Sequence, residues 1–576
     1  MASTKTIVRR EVPNLPPVFD HPLLNRILLA RGVTRADELD YSLTQLINPS
    51  LLKGINEALG LLTEAFLAQK KLLIIGDFDA DGATSTALAV RGLRALGFNQ
   101  VDFLVPNRFE FGYGLTPEIV AVAQHYQPDL LITVDNGIAS VAGVAAANAL
   151  GIKVIVTDHH LPGDTLPAAA AIINPNQPGC TFPCKALAGV GVMFYVLMAL
   201  RTHFRELDFF AQRTEPNLAE FLDLVALGTV ADVVPLERNN RLLVAQGLKR
   251  LRAGRCCAGI KALLQVAGRD AEKITSTDLG FIIGPRLNAA GRLDDMSIGI
   301  QCLLTDNPAQ ALEYAQELDA LNRERRAIET GMQKESQVLL DALEAELKGQ
   351  LPQGLCLYHP EWHQGVIGIL ASRIKDKFHR PVIIFAESAP GELKGSGRSI
   401  AGLHLRDALD EVAKRAPHIL QKFGGHAMAA GLSLAERHLA EFKILFDDVV
   451  CAHLGPKGVA AFISSDGALA AEEFSLALAD TLAACGPWGQ AFSEPIFDGD
   501  FIIHQQRLLA DKHLKLTLSP QNCPDIFLDA IAFNVDTQLW PNTQRQKLRM
   551  AYKLSPNEFR GQRTVQLMVD YLEALE

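Results

Sequence analysis

The segment Leu72-Leu73-Ile74-Ile75-Gly76-Asp77-Phe78-Asp79-Ala80-Asp81-Gly82 runs from an unbroken apolar stretch into three aspartates at alternate positions. A short β-rich apolar run bounded by glycine reads as a strand buried on both faces, the kind found in parallel sheets. Alternate residues of an extended segment project from one face, so the three carboxylates are expected to converge. Converging carboxylates repel one another unless cations lie between them, which makes a divalent metal site the leading reading.

The same pattern recurs downstream. Leu130-Leu131-Ile132-Thr133-Val134 ends in Asp135-Asn136-Gly137, and Val154-Ile155-Val156-Thr157 ends in Asp158-His159-His160. Asp232 is a lone carboxylate within the apolar stretch 227–235, where an unpartnered charge is costly. Strand signals alternating with helical ones across residues 70–235 imply a mostly parallel sheet. Ligands of such sheets collect beyond the carboxyl ends of the strands, where the aspartates following residues 75, 134 and 157 all fall. A calcium loop is the obvious rival, but its twelfth position is Leu88 rather than a bidentate Glu, and a strand precedes the loop instead of a helix. A solvated acidic turn is the other plain reading, and the second and third clusters count against it.

Composition narrows the class. A chain of 576 residues requires several cores, and 48% hydrophobic residues suit a packed globular protein. The longest uncharged apolar run, residues 186–200, is too short to span a bilayer and reads as a buried helix. The N-terminal residues hold no apolar signal segment, so a cytoplasmic location is expected, with no membrane association. Nine scattered cysteines form no disulfide framework, and Cys180 and Cys184 lack a second pair at zinc-finger spacing. Gly189-Val190-Gly191 starts like a dinucleotide fingerprint, but Phe194 takes the third glycine position, so a nicotinamide cofactor is rejected. The net charge of −10 means that any nucleic acid must be held in a locally basic channel. Lys249 with Arg250, Arg252 and Arg255, Arg323 with Arg325 and Arg326, and Arg373 with Lys375, Lys377 and Arg380 are the local concentrations. Each reads equally well as a solvated helix face.

Five parts are expected. Residues 1–50 form a proline-bearing N-terminal arm, and 51–305 an α/β metal domain. Residues 306–350 form a connecting helix, entered by the cap pair Asn307-Pro308 and striped by Leu321, Ile328, Met332, Leu339 and Leu343. Its plain role is a strut between two domains. Residues 351–455 form a second α/β domain, whose glycine-rich segment 394–399 either lets backbone amides and Arg398 approach an anion or makes a tight hairpin or bulge. Period-two runs at 514–518, 548–554 and 565–571 suggest a small barrel, an OB-fold, over 456–576.

The triplet Asp158-His159-His160 gives its name to the DHH phosphoesterases, and the chain resembles that family. Further matching segments are 76–82, Pro106-Asn107-Arg108 followed by Gly112-Tyr113-Gly114, 133–137, 228–232, Gly284-Pro285-Arg286-Leu287-Asn288-Ala289-Ala290-Gly291-Arg292, and the glycine-rich 424–431. Their order from about residue 50 onward is similar to the single-stranded-DNA-specific exonucleases of the family. Residues 486–495 resemble the segment leading into the barrel there, although Trp488, Gln490 and Ala491 depart from it.

The resemblance implies a multidomain α/β fold: a parallel-sheet DHH domain, a long connecting helix, a second α/β DHH-associated domain and a C-terminal OB-like β-barrel. It implies 5′-to-3′ hydrolysis of single-stranded DNA with two Mn²⁺ or Mg²⁺ ions, in recombination and repair. By the family's pattern Asp135 bridges the ions, Asp81, His159 and Asp232 hold one, and Asp79 with Asp77 holds the other. His160, pointing away from its neighbour, steadies the scissile phosphate. Arg108, Arg286, Ser396 and Arg398 are the candidates for a terminal phosphate, with Asn288, Arg292, Arg373 and His426 as further DNA contacts. Arg286 and Arg292 have the alternative of capping helices or bridging to buried acids, and His426 that of a core histidine. Single-strand-binding protein and a RecQ-type helicase are the implied partners of a monomer. Two alternatives stand beside this reading. A DHH oligonucleotide phosphodiesterase or pyrophosphatase has no need of the strut and barrel, and a non-catalytic single-strand-binding relative has lost metal ligands, of which none is missing here.

Overall fold

The computed structural model describes residues 5–107, 111, 114–346, 351–455, 459–542, 544–559 and 561–575. They divide into two compact units, one of Arg9–Asn322 with Ser465–Glu576, the other of Met1–Val8 with Arg323–Ser464.

The first unit is built on a five-stranded, fully parallel sheet. Its strand order is Val101–Leu104, Leu72–Ile75, Leu130–Val134, Lys153–Thr157, Ala171–Ile173. Leu72, Leu73, Ile74 and Ile75 are all buried, because helices cover both faces of the sheet. The chain steps from Leu72–Ile75 outward to Val101–Leu104, then returns to the other side at Leu130–Val134. At such a switch point the connections leave in opposite directions and open a crevice above the strand ends. Asp77 follows one of these strands and Asp135 the other.

The expected alternation of the three aspartates is corrected here. The strand stops at Ile75, Asp79 is the N-cap of the helix Ala80–Leu96, and Asp81 lies inside its first turn. Asp79 Oδ1 accepts from the Gly82 amide at 3.0 Å. The helix starts here because an N-cap carboxylate satisfies one of its free amides. The carboxylates are therefore gathered by a strand-to-helix turn rather than by one pleated face.

The same unit contains a closed five-stranded barrel of Phe497–Leu509, His513–Pro520, Leu528–Ala532, Gln562–Ala574 and Lys547–Phe559. Leu514, Leu516, Leu518, Leu548, Met550 and Tyr552 fill it, as their period-two spacing requires. Leu23 and Ile27, on the helix Pro22–Leu29, belong to the same core. Nearby, Arg31 makes a buried double hydrogen bond to Asp466, at 2.7 and 2.9 Å. The segment before the barrel joins it to the helices around the parallel sheet. Trp488 stacks on Phe492 with centroids 5.0 Å apart, Arg241 lies 4.3 Å over the Phe492 ring, and the Leu236 amide donates to the Gln490 carbonyl at 2.8 Å.

The helix Pro308–Glu346 has 39 residues, which at 1.5 Å per residue is on the order of 60 Å. The Asn307 side chain accepts from the Ala309 amide at 2.9 Å, the cap read from the sequence. Met332 is buried and Leu321, Ile328 and Leu339 are half-buried, while the side chain of Leu343 lies outside the described residues. The second unit holds a mixed sheet ordered Leu420–Gly425, Ala429–Ala435, Glu392–Arg398, Val382–Ala389, Leu355–Tyr358. Only its last pair is parallel. Among the described residues no helix is long and apolar enough to cross a membrane.

Candidate metal centre

Five aspartates and two histidines meet in the crevice at the switch point. The ligand atoms of Asp81, His159 and Asp232 all lie within 4.8 Å of one another, and so do those of Asp77, Asp79 and Asp135. Asp135, His159 and His160 form a third such group, so Asp135 belongs to both sides of the cluster. Asp135 Oδ1 is 3.2 Å from His159 Nε2, and Asp232 Oδ2 is 3.5 Å from it.

Each position is set by a local device. Asp135 takes φ 62°, a left-handed conformation at the strand end, while its amide donates to the Thr157 carbonyl at 3.0 Å. Asp232 is the C-cap of the helix Leu222–Ala231. Asp81 is anchored by the N-terminus of the helix Gly189–Glu206, whose Gly189 and Val190 amides donate to its two oxygens at 2.7 and 2.9 Å. Free amides at a helix start bind a carboxylate in this way. The Gly189-Val190-Gly191 segment, rejected as a cofactor motif, is thus part of the centre. A β-carbon on Gly189 would lie 2.7 Å from Asp135 Cβ, and one on Gly228 would lie 2.8 Å from Asp81 Oδ1.

Asp158, read from the sequence as part of the strand-end triplet but given no role of its own, positions both histidines. Its Oδ1 accepts from the His159 amide, the His160 amide and His160 Nδ1 at 2.7, 3.0 and 2.8 Å, and its Oδ2 accepts from the Ile138 amide at 2.9 Å. The expectation that His160 points away from its neighbour is corrected. The two rings pack at 4.5 Å between centroids, because one carboxylate holds both residues.

Asn288, expected as a DNA contact, also has a positioning role within the fold. Its side-chain oxygen accepts from the Ala80 amide at 2.8 Å, fixing the turn that carries Asp79 and Asp81. Gly291, one turn further on, sits so close to the Phe78 carbonyl that no side chain fits between them. Arg286 is buried and follows the second of its two expected readings. It binds Asp319 through Nε at 3.0 Å and Nη2 at 2.9 Å, and donates to the Ile282 carbonyl at 2.7 Å. Arg292 is half-buried on the same helix, Gly284–Leu293. Arg108 lies outside the described residues.

The remaining candidates belong to the second unit. Arg398 Nη1 lies 3.3 Å from Ser396 Oγ. Burial lowers the Arg398 pKa. Both side chains face Gly368 near the start of the helix Ile367–Phe378, where a β-carbon would come within 2.9 Å of Ser396 Oγ and 3.0 Å of Arg398 Nη2. Arg373 pairs with Glu329 at 3.0 Å. His426 is exposed at the hairpin between Leu420–Gly425 and Ala429–Ala435, which excludes the core-histidine reading.

The electrostatics of the cluster fit cations. Burial and then Asp79 push Asp81 up to about 7. Burial, followed by the neighbouring carboxylates, raises Asp135 and Asp232 in the same direction. Burial and His160 lower His159 to about 4, so it is the neutral imidazole that metals bind. Burial would lower His160 too, but the hydrogen bond and charge of Asp158 raise it to about 9. His159 Nε2 is buried and makes no hydrogen bond although carboxylates face it. A buried donor set of this kind is satisfied by a divalent ion with oxygen and imidazole ligands.

These shifts give a sign for stability. Folded Asp81, Asp135 and Asp232 keep protons that the unfolded chain has shed, so metal-free stability falls as pH rises from about 4 to about 7. His159 opposes this between about 4 and 6.5, one group against three, and His160 extends the loss toward about 9. In EDTA the melting temperature is expected to drop across this range. Mn²⁺ at a hundred times its Kd is expected to restore about 2.7 kcal/mol near neutrality and less in acid. Thermal scans across pH with EDTA or Mn²⁺ check both slopes, and a flat EDTA profile would exclude the cluster as the source.

A parallel sheet with acidic turns at its switch point and an Asp-His-His triplet on a neighbouring strand defines a DHH-family protein. The family profiles agree: "DHH family, N-terminal domain" matches residues 71–229, "DHHA1 domain" 351–451 and "RecJ OB domain" 465–571. The chain is 56% identical over 564 residues to the single-stranded-DNA-specific exonuclease RecJ of Dickeya dadantii, covering 98% of this chain and 97% of that one. It is 55% identical over 566 residues to the Escherichia coli protein of the same name, covering 98% of each. Among solved structures, RecJ of Thermus thermophilus in complex with Mn²⁺ superposes with a TM-score of 0.80 at 30% identity, over 99% of this chain and 80% of that one. The Mg²⁺ complex of the Thermus protein gives 0.74 at 28%, over 99% and 79%. The chain belongs to the RecJ family.

Proposed function

We propose that the chain is a divalent-metal-dependent exonuclease that hydrolyses single-stranded DNA from its 5′ end. The observation that carries this reading is the shared cluster at the switch point, where Asp135 belongs both with Asp77 and Asp79 and with His159. Asp135 would bridge two ions, Asp81, His159 and Asp232 would hold one, and Asp77 and Asp79 the other. When bound, such a pair supplies an activated water and offsets charge at the attacked phosphorus and leaving oxygen. The chain's own contribution is placement. Gly189 and Val190 fix the Asp81 carboxylate, Asn288 fixes the turn bearing Asp79, and Asp158 sets the histidine pair. His160, held cationic by Asp158, is suited to meeting a phosphate oxygen.

Ser396 and Arg398, beside the start of the helix Ile367–Phe378, supply a hydroxyl, a guanidinium and free amides for the terminal phosphate. Arg108, Arg292, Arg373 and His426 complete the set of proposed DNA contacts. The division at about residues 50, 305, 350 and 455 is proposed as the modular plan, with the barrel gripping the strand. Single-strand-binding protein and a RecQ-type helicase are the proposed partners of a cytoplasmic monomer acting in recombination and repair.

Digestion of 5′- and 3′-labelled single strands tests this. In Mn²⁺ or Mg²⁺ the 5′ label is expected in short products first, and in EDTA no digestion is expected. Early loss of the 3′ label, or cleavage in EDTA, would overturn the reading.

A further inference from the structure

Outside the metal centre, one further group of metal-capable side chains occurs among the described residues: His418, His438 and Glu441, all in the second unit. One ligand atom from each lies within 4.8 Å of the other two. His418 Nε2 is 3.1 Å from Glu441 Oε2, and His438 Nδ1 is 3.9 Å from the same oxygen. The two rings meet edge-on, 5.2 Å between centroids. Three different local structures deliver these side chains. His418 lies in the turn before the strand Leu420–Gly425, His438 ends the 3₁₀ turn Glu436–His438, and Glu441 stands in the first turn of the helix Leu439–Leu454. Each is followed in sequence, directly, by a buried residue of one core: Ile419, Leu439 and Phe442. The core thus fixes the three backbones while the side chains face outward.

We infer that these three residues form a zinc site, separate from the centre at the switch point, that clamps the base of the hairpin 420–435. The donor set names the ion. Two imidazoles and one carboxylate are the protein ligands of three-ligand zinc sites, which keep a water in the open position. The His418, His438 and Glu441 side chains are 57, 20 and 53% exposed, so water reaches that position. Magnesium and manganese prefer the oxygen-rich cluster at the switch point, so the chain sorts two kinds of ion by ligand type. The topology names the effect. His418 and His438 flank the hairpin just outside the pairing of Leu420 with Leu434, where the register slips between Leu420 and Lys422. An ion held from both sides ties this irregular end to the helix Leu439–Leu454. Arg437 Nε donates to His438 Nε2 at 3.2 Å, which puts the ring proton on Nδ1. Zinc at Nδ1 sends that proton to Nε2, and the exposed Arg437 side chain turns to solvent.

The test titrates the full-length protein with Zn²⁺ by calorimetry in saturating Mg²⁺, and with Co²⁺ as a visible-absorption probe of four-coordinate geometry. The parent is expected to take up one zinc more than His418→Ala or Glu441→Gln, and to show a cobalt band that both variants lack. Affinity at this site is expected to fall at least about 100-fold in either variant, beyond the 10–100-fold cost typical of an outer-shell partner. Arg437→Ala is expected to bind zinc about two- to fivefold more tightly, the scale of one exposed charge contact, because the competing donor is gone. At a hundred times Kd, amides of the hairpin are expected to exchange about 100-fold more slowly in the parent but not in His418→Ala, since opening releases the ion. Melting profiles of the variants in EDTA are expected to match the parent's, because an exposed pair adds little stability. Equal zinc uptake by parent and ligand variants, or no tighter binding by Arg437→Ala, would overturn the site. Zinc uptake that leaves hairpin exchange unchanged would overturn the clamp.

Discussion

Asp135→Ala is expected to lower single-strand hydrolysis by about 10⁴-fold or more, the scale seen when a central catalytic group is removed. Among the described residues Asp135 is the carboxylate grouped both with Asp77 and Asp79 and with His159, so its loss takes a donor from one half of the cluster and the link to the other. Single-strand binding is expected to persist, because the barrel and the second unit's basic residues are untouched. The variant carries a second signature. Buried Asp135 is repelled by Asp81, Asp79, Asp232 and Asp77, so its removal is expected to raise the metal-free melting temperature at neutral pH. Product release, anisotropy with a labelled strand and thermal scans in EDTA together check this. Activity within tenfold of the parent, or a lowered melting temperature in EDTA, counts against the assignment.

Gly189→Ala has the next largest expected effect, although glycine carries no chemistry. The added methyl would sit 2.7 Å from both Asp135 Cβ and Cγ, contacts that cannot relax by rotating a flexible side-chain tip. Asp135 would be displaced, and the amides that hold Asp81 would shift with the helix start. Loss of a supporting contact of this type typically costs about 10–100-fold in metal affinity or activity, and moving two carboxylates at once places this variant at the upper end. Overpacking is expected to cost about 1–3 kcal/mol of stability as well. Calorimetric titration with Mn²⁺ separates weaker binding from slower chemistry, and unchanged Mn²⁺ affinity would show that the helix start does not shape the centre.

What the sequence disclosed and what it hid have different physical origins. The strands Leu72–Ile75, Leu130–Val134 and Lys153–Thr157 were legible because a parallel strand buried on both faces leaves a continuous apolar run. The barrel strands were legible because one face is inside, giving the period-two leucines at 514, 516 and 518. The metal cluster followed from carboxylates at strand ends. Backbone donors could not be read, since the amides of Gly189 and Val190 have no side-chain signature. The bond from the Ala80 amide to the Asn288 side chain could not be read either, its partners lying 208 positions apart. Arg286 was open for a similar reason, its partner Asp319 lying 33 positions further along the chain. His160 was expected, by the family's pattern, to point away from its neighbour, whereas the strand ends at Thr157 and Asp158 gathers both histidines.

The joining of Leu23 and Ile27 to the barrel core, and of Arg31 to Asp466, sets an order on how the newly made chain completes itself. The helix Pro22–Leu29 emerges early, but the surface that covers it begins 435 residues after Arg31. At about 5–20 residues per second that interval is on the order of a minute, during which Leu23 and Ile27 lack their partners in the barrel core. Contacts of such sequence separation also form slowly once both ends exist. A chain whose synthesis stops before residue 465 therefore leaves both the early helix and the catalytic side of the Trp488–Phe492 seam uncovered, a state that chaperones and proteases recognise.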